Sequence, residues 1–136
     1  MRMIALRRAG LLFVLLAILA LPIEAQGQGP EVKTLVTKDL AAAAGQETLV
    51  LMVEYGPGVS EPVHRHNAQA FVYVLEGSVV MQVKGQPPVT LKAGETFYEG
   101  RDDVHLVGRN ASQTNRARFV VFLVKEKGAP VAVPAP

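Results

Sequence analysis

The 136-residue chain contains no cysteine. It therefore has no disulfides, on which many small exported domains depend, and any metal site must form without thiolate ligands. We also find no Ser-His-Asp set, no phosphate-binding glycine loop, no internal repeat and no long amphipathic helix after residue 25. The length indicates a single domain, large enough to bury its own hydrophobic core.

The chain also has no net charge once residues 1–25 are left out of the count. The chain has 14 Lys and Arg against 12 Asp and Glu, and residues 1–25 hold three of the former and one of the latter. The remainder is balanced at 11 of each. No basic stripe remains, so we expect no nucleic-acid partner.

Residues 1–25 have the pattern of a secretory signal peptide. A positive start that includes Arg7 and Arg8 precedes an apolar run, which Pro22 ends, and Ala25 precedes the expected cleavage site. The run is shorter than the roughly 20 apolar residues that span a bilayer, so no stable membrane anchor is expected after cleavage. We predict a periplasmic or secreted protein. The paired arginines leave the twin-arginine route open beside ordinary secretion.

The rest of the chain is rich in short β-type segments separated by Gly- and Pro-containing turns, a pattern typical of an all-β sandwich or barrel. These segments span residues 48–55, 70–75, 79–83, 89–91, 96–98, 104–107 and 117–125. We predict a barrel over residues 46–127, with 117–125 as a central strand. A lead-in segment of ambiguous structure (26–45) precedes it, and an extended tail (128–136) follows. The Glu76-Gly77 turn predicts a hairpin.

Histidine occurs three times, as His64, His66 and His105. On an extended strand the first two would point to the same face. The third, from a neighbouring strand, would complete a set of imidazoles that suits Fe, Zn, Ni or Cu, and Mn when oxygen donors are added. An isolated His-x-His pair is more often a surface feature, so the pair alone does not establish a metal site.

The spacing around the first two histidines resembles the first motif of the cupin family. Gly58 is followed after five residues by His64-x-His66, and Gly77 follows. The intervening sequence FVYVLEGSVVMQV also looks like that family.

Gly94, followed after ten residues by His105, resembles the second motif of the cupin family. The segment LKAGETFYE, which contains Gly94, also looks like that family. The resemblance runs from about residue 49 to residue 124. It implies an all-β double-stranded β-helix, a jelly-roll barrel, in which the three histidines hold one divalent metal ion (Fe, Mn, Zn, Ni or Cu). It also implies a possible homodimer through the outer sheet, for which the apolar segment 119–124 is available.

The chain departs from the family pattern where a ligand glutamate is expected, because this position is Ala70. Gln69 is adjacent, but on a regular strand it would face the opposite way unless a β-bulge turned it inward. Three neutral imidazoles would leave a divalent ion with its full charge, so we expect the site to bind hydroxide or an anionic ligand. Further departures are Gly100 and Asp102 in place of Pro and Gly, and Arg109 in place of Asn, with Asn110 displaced by one.

Other residues near the histidines have two interpretations. Glu61, Glu99 and Asp103 could orient the imidazoles, but solvated loop carboxylates are the favoured interpretation. Aromatic and sulfur-containing side chains could line a pocket or simply belong to the core or an interface; these are Tyr73, Met81, Phe97 and Tyr98.

Two classes of function follow from the resemblance. One is a metal-dependent enzyme acting on a small organic molecule, of dioxygenase, isomerase or lyase type. The other is a non-enzymatic protein that binds a small ligand or a metal. The fold alone does not distinguish them.

Overall fold

The computed structural model describes residues 29–136, so the predicted signal peptide and its cleavage site lie outside the described residues. Within 29–136 there is no helix long and apolar enough to cross a membrane. The described chain forms ten strands: β1 (Glu31–Asp39), β2 (Gln46–Tyr55), β3 (His64–Arg65), β4 (Gln69–Glu76), β5 (Ser78–Val83), β6 (Val89–Lys92), β7 (Thr96–Glu99), β8 (His105–Asn110), β9 (Ala117–Glu126) and β10 (Val133–Pro134).

The strands form two antiparallel sheets of five strands each. The first sheet has the order β1-β2-β9-β4-β7, and the second has the order β10-β3-β8-β5-β6. Buried side chains from both sheets belong to one hydrophobic core. The predicted all-β jelly-roll class is therefore confirmed.

Strand β9 lies at the centre of the first sheet, as its length and apolar composition predict. It pairs with β2 along its whole length and with β4 on its other side. Alternate side chains of β9 are buried, from Ala117 through Phe119 and Val121 to Leu123. This period of two is expected for a strand with one face on the core.

The predicted hairpin around Gly77 is wrong. β4 belongs to the first sheet and β5 to the second, so the chain passes between sheets at this turn. Gly77 has a φ of +73°, and a Cβ there would lie 2.5 Å from the carbonyl oxygen of Arg116. Glycine accepts both the positive φ and the close approach, which explains its place here. The Glu-Gly signal identifies the turn but not the strands that pair.

The segments on either side of the central strands also join the sheets. β1 pairs antiparallel with β2 and is exposed along its length. The C-terminal residues contribute β10, in which Val133 pairs with Arg65 and Pro134 with His64. The end of the chain therefore lies beside the strand that carries the first histidine.

Candidate metal centre

Strand pairing brings the three histidines together. His64 in β3 lies directly opposite His105 in β8, and opposite residues of an antiparallel pair project from the same face. His66 follows β3, after the exposed Arg65. The Nε2 atoms of His64 and His66 are 3.2 Å apart, and each histidine offers a ligand nitrogen within 4.8 Å of the others. This cluster could hold one metal ion.

Main-chain carbonyls fix the rings of two histidines. Nδ1 of His64 donates to the carbonyl of Pro62 at 2.9 Å, and Nδ1 of His66 donates to that of Val131 at 2.7 Å. Because a carbonyl only accepts, each Nδ1 carries a proton, and in the neutral form of such a ring Nε2 presents a lone pair. Two lone pairs facing each other at 3.2 Å repel unless a cation lies between them. The arrangement therefore fits a metal ion.

His105 is only 3% exposed, and within residues 29–136 neither ring nitrogen has a hydrogen-bond partner. Buried polar atoms are rarely left in this state. Burial, followed by the proximity of His64, lowers the pKa of His105 to about 4. Burial also lowers the pKa of His66. Both rings are therefore neutral near pH 7, which is the form that ligates a metal.

Glu99, the last residue of β7, points into the cluster. It is 3% exposed, and its Oε2 lies 3.4 Å from His105 Nδ1 and 3.6 Å from His66 Nε2. Burial, followed by the nearby carboxylate of Glu61, raises the pKa of Glu99 to about 8. Its interpretation as a solvated loop carboxylate is wrong. The available signal was the alternation along β7, where Phe97 and Glu99 share the inward face.

Glu61 approaches the cluster beside the first histidine, with its Oε2 3.7 Å from His64 Nε2. Burial raises the pKa of Glu61, and its contact with the Tyr55 hydroxyl acts in the opposite direction. Tyr55 is fully buried, and burial raises the pKa of its phenol. By contrast, Asp103 accepts a hydrogen bond from the main-chain N–H of Gly100 at 2.7 Å and so shapes its own loop.

The side chain at position 70 points inward, as a metal ligand there would, but alanine has no atom that can bind a metal. Ala70 is fully buried, opposite Leu123 of β9 on one side and Glu99 of β7 on the other. Gln69 pairs in regular register with Val124, and its side chain is exposed. No β-bulge turns Gln69 inward at this point of β4. Gln69 therefore lies outside the histidine cluster.

Asn110, displaced by one from the family position, is buried and ties β8 to the end of β2. Its side-chain amide donates to the carbonyls of Tyr55, Gly56 and Asn115 at 3.1, 2.9 and 2.8 Å. Its Oδ1 accepts from the N–H of Ser112 at 2.8 Å. These bonds give Asn110 a structural role next to Tyr55 and the site.

A cavity of about 370 Å³ adjoins the histidines. Among residues 29–136, the polar side chains that line it are those of the three histidines, the two glutamates and Tyr55. The other lining side chains in this range are apolar; they include Leu51, Val53, Val72, Met81, Phe119 and Val121. Met81 therefore lines the cavity. Tyr73 and Tyr98 are instead exposed on the outer face of the first sheet, and Phe97 packs against the core.

The sequence matches the cupin domain family over residues 51–123, more than half of the chain. The chain is a member of the cupin family. The match contains all three histidines as well as both Ala70 and Glu99.

Several solved structures have the same fold as this cupin. The DMSP lyase DddQ from Ruegeria pomeroyi DSS-3 is 17% identical with a TM-score of 0.63, over 79% of this chain and 52% of that one. A cupin-like protein from Thermotoga maritima is 23% identical with a TM-score of 0.62, over 79% and 77%. A recombinant oxalate oxidase in complex with glycolate is 23% identical with a TM-score of 0.61, over 81% and 57%.

This cupin spans about half the length of the DMSP lyase chain that it matches. No curated protein sequence matches it significantly. At these identities, the likeness to solved structures shows the fold alone.

Proposed function

We propose that this cupin binds one divalent metal ion through His64, His66 and His105 and acts on a small organic molecule as a metal-dependent enzyme. The reaction classes that we propose are dioxygenation, isomerisation and lyase-type bond cleavage. The observation that carries the proposal is the convergence of three ligand nitrogens within 4.8 Å at an apolar cavity. The unpartnered ring nitrogens of His105 within the described chain add to it.

The cavity indicates the kind of molecule that would bind. About 370 Å³ admits a small molecule. The apolar walls favour a hydrocarbon portion, and the polar end favours an oxygen-containing group. A bound metal ion would act as a Lewis acid toward that group. Glu61, beside the Tyr55 hydroxyl, is the carboxylate that we propose to exchange a proton with the molecule.

The solved relatives support an activity of this kind. One is a lyase that acts on DMSP, and another is an oxalate oxidase in complex with glycolate. Both names refer to small organic molecules, and both proteins share the fold of this chain. Their activities belong to longer chains, so the substrate of this cupin is left open within the small organic class.

A non-enzymatic binding protein is the second candidate. The observation in its favour is the closure of the site by the C-terminal residues, because the Val131 carbonyl accepts from His66 and Pro134 pairs with His64. A site partly covered by its own chain suits retention of a ligand.

Turnover separates the two functions. The full chain would be loaded separately with Fe(II), Mn(II) and Zn(II) and incubated with small carboxylic acids and sulfonium compounds, with and without oxygen. Product formation that is lost in His105→Ala supports the enzyme. Tight retention of an unchanged ligand supports the binding protein instead.

We also propose that residues 1–25 direct export to the periplasm or beyond. The charge and hydropathy pattern of this segment supports export, and Arg7 and Arg8 bear on the route. Changing both arginines to lysines should leave ordinary secretion intact. Loss of export after this change would instead indicate the twin-arginine route, which carries folded proteins.

We further propose a homodimer formed through the outer face of the first sheet. Phe71, Tyr73, Tyr98 and Phe122 are exposed there, and the rings of Phe71 and Tyr98 are 5.1 Å apart. Contiguous exposed apolar surface often marks an interaction site. Sedimentation should give the mass of two chains at micromolar concentration, and Phe71→Glu should reduce it to one. A wild-type mass of one chain would contradict the dimer.

A further inference from the structure

Position 70, which lacks the glutamate ligand of the family pattern, lies beside the buried carboxylate of Glu99 in the first sheet. Ala70 of β4 and Glu99 of β7 are directly opposite in the antiparallel register, so their side chains project from the same face. We propose that Glu99 is a fourth ligand to the metal ion and supplies from β7 the carboxylate that position 70 lacks. This inference rests on the proposed metal site.

Two distances around Glu99 are close to those between ligands of one ion. Nitrogen and oxygen ligands about 2.1 Å from a common ion are separated by about 3.0 Å in octahedral and about 3.4 Å in tetrahedral geometry. Oε2 of Glu99 is 3.4 Å from His105 Nδ1 and 3.6 Å from His66 Nε2. The two histidine Nε2 atoms of the first motif are 3.2 Å apart. Oε2 of Glu99 therefore lies near ligand spacing from the Nε2 of His66, and it also faces the ring of His105 from a different strand.

One oxygen of the carboxylate also lacks a competing hydrogen bond in the described part of the chain. Glu99 is 3% exposed, and its Oε2 has no hydrogen-bond partner among residues 29–136. A buried ionised carboxylate without a partner is strongly unfavourable. A metal ion at the histidine cluster would satisfy Oε2 and one of the two unpartnered ring nitrogens of His105 together.

Glu99 changes the charge balance expected from the sequence. Three neutral imidazoles leave a divalent ion at +2, whereas an additional carboxylate ligand reduces the net charge of the site to +1. An external anion is then no longer required for this purpose. An oxygen donor added to three imidazoles also makes the site more suitable for Mn or Fe.

Glu61 is the alternative source of a carboxylate, and the structure favours Glu99. The Oε2 of Glu61 is 3.7 Å from a single histidine nitrogen, that of His64, and its side chain is 18% exposed against 4% for Glu99. Glu61 also contacts the Tyr55 hydroxyl. It therefore provides a control that removes one negative charge near the ion without removing the proposed ligand.

The test is a metal titration of the metal-free full chain with Mn(II) and Co(II). The variants are Glu99→Ala, the control Glu61→Ala, and the double substitution Ala70→Glu/Glu99→Ala, which moves the carboxylate to the facing strand. We expect Glu99→Ala to weaken Mn(II) binding by about tenfold or more and to change the visible spectrum of bound Co(II). The double variant should recover most of the affinity. Glu61→Ala should weaken binding less and keep the Co(II) spectrum.

The outcomes distinguish this inference from the proposed function. If wild type binds one ion and Glu99→Ala binds it with the same affinity and Co(II) spectrum, the inference is overturned and the three-histidine site stands. Equal losses in Glu99→Ala and Glu61→Ala with an unchanged spectrum would indicate an effect of charge alone and also overturn it. If wild type binds no ion, the proposed function and the inference both fail. Glu99→Gln, of nearly the same shape, replaces Glu99→Ala if circular dichroism shows that the latter is unfolded.

Discussion

Glu99→Gln should stabilise the metal-free protein in a pH-dependent way. Burial raises the pKa of Glu99 from 4.5 to about 8, so the folded state holds this proton more tightly than the unfolded state. Glu99 therefore lowers the stability of the metal-free fold as the pH rises from 4.5 to about 8, and its contribution is most favourable below 4.5. Glutamine does not ionise, so the stability of the Glu99→Gln variant should lack this contribution to the pH dependence.

The magnitude follows from the difference in pKa. At pH 7 the unfolded carboxyl is ionised and the folded one is mostly protonated, which gives a penalty of about 3 kcal/mol relative to pH values below 4.5. At pH 5 the same penalty is under about 1 kcal/mol. The advantage of Glu99→Gln over wild type should therefore grow by about 2–3 kcal/mol between these two pH values. Added metal should reduce the stability advantage of Glu99→Gln, because it stabilises the protein that binds it more tightly. Each tenfold higher metal affinity of wild type should reduce that advantage by about 1.4 kcal/mol.

Urea unfolding in the presence of a chelator measures both free energies at pH 5 and pH 7. Comparing the two proteins at each pH removes the titration of the histidines, which they share. Repeating the pH 7 measurement with Mn(II) gives the metal-dependent term. An advantage of the variant that is the same at both pH values would refute the reasoning, because it would mean that Glu99 is not held protonated by burial.

Two other substitutions test the surroundings of the site, and a third tests a buried ion pair elsewhere in the first sheet. Gly108→Ala places a Cβ 3.0 Å from Glu61 Oε2 and 3.1 Å from His105 Cε1; metal affinity should fall by about tenfold in calorimetric titration while the fold is retained. Asn110→Ala leaves buried carbonyls without their donor and should lower the free energy of unfolding by about 1–3 kcal/mol for each one left unsatisfied. Lys125→Met removes the buried partner of Glu47 and should lower the melting temperature, which Glu47→Leu in the same chain should partly restore. Unchanged values would contradict each expectation.

The fold and the histidine cluster could be predicted from local sequence, because turn residues and motif spacing carry that information. Glu99 could not be assigned in the same way. Its proximity to the histidines depends on the register that places it opposite Ala70, and nothing local to TFYE specifies the partner strand. The hairpin prediction at Gly77 failed for a related reason, since a tight turn does not reveal that its two strands belong to different sheets.

Side-chain direction was also only partly predictable. Period-two alternation divides a strand into two faces but does not say which face covers the core. Met81 faces the cavity, whereas Tyr73 and Tyr98 face outward. Only the packing of the two sheets against each other assigns the faces.

The metal content of the purified full chain tests the central claim most directly. Wild type, His64→Ala and His105→Ala would be stripped with a chelator, equilibrated with Mn(II), Fe(II) or Zn(II), separated from free metal, and subjected to elemental analysis. We expect one equivalent per wild-type chain and a loss of stoichiometric binding in both variants, with the β-sheet circular dichroism unchanged. One equivalent retained in either variant, or no metal bound by wild type, would contradict the three-histidine metal centre.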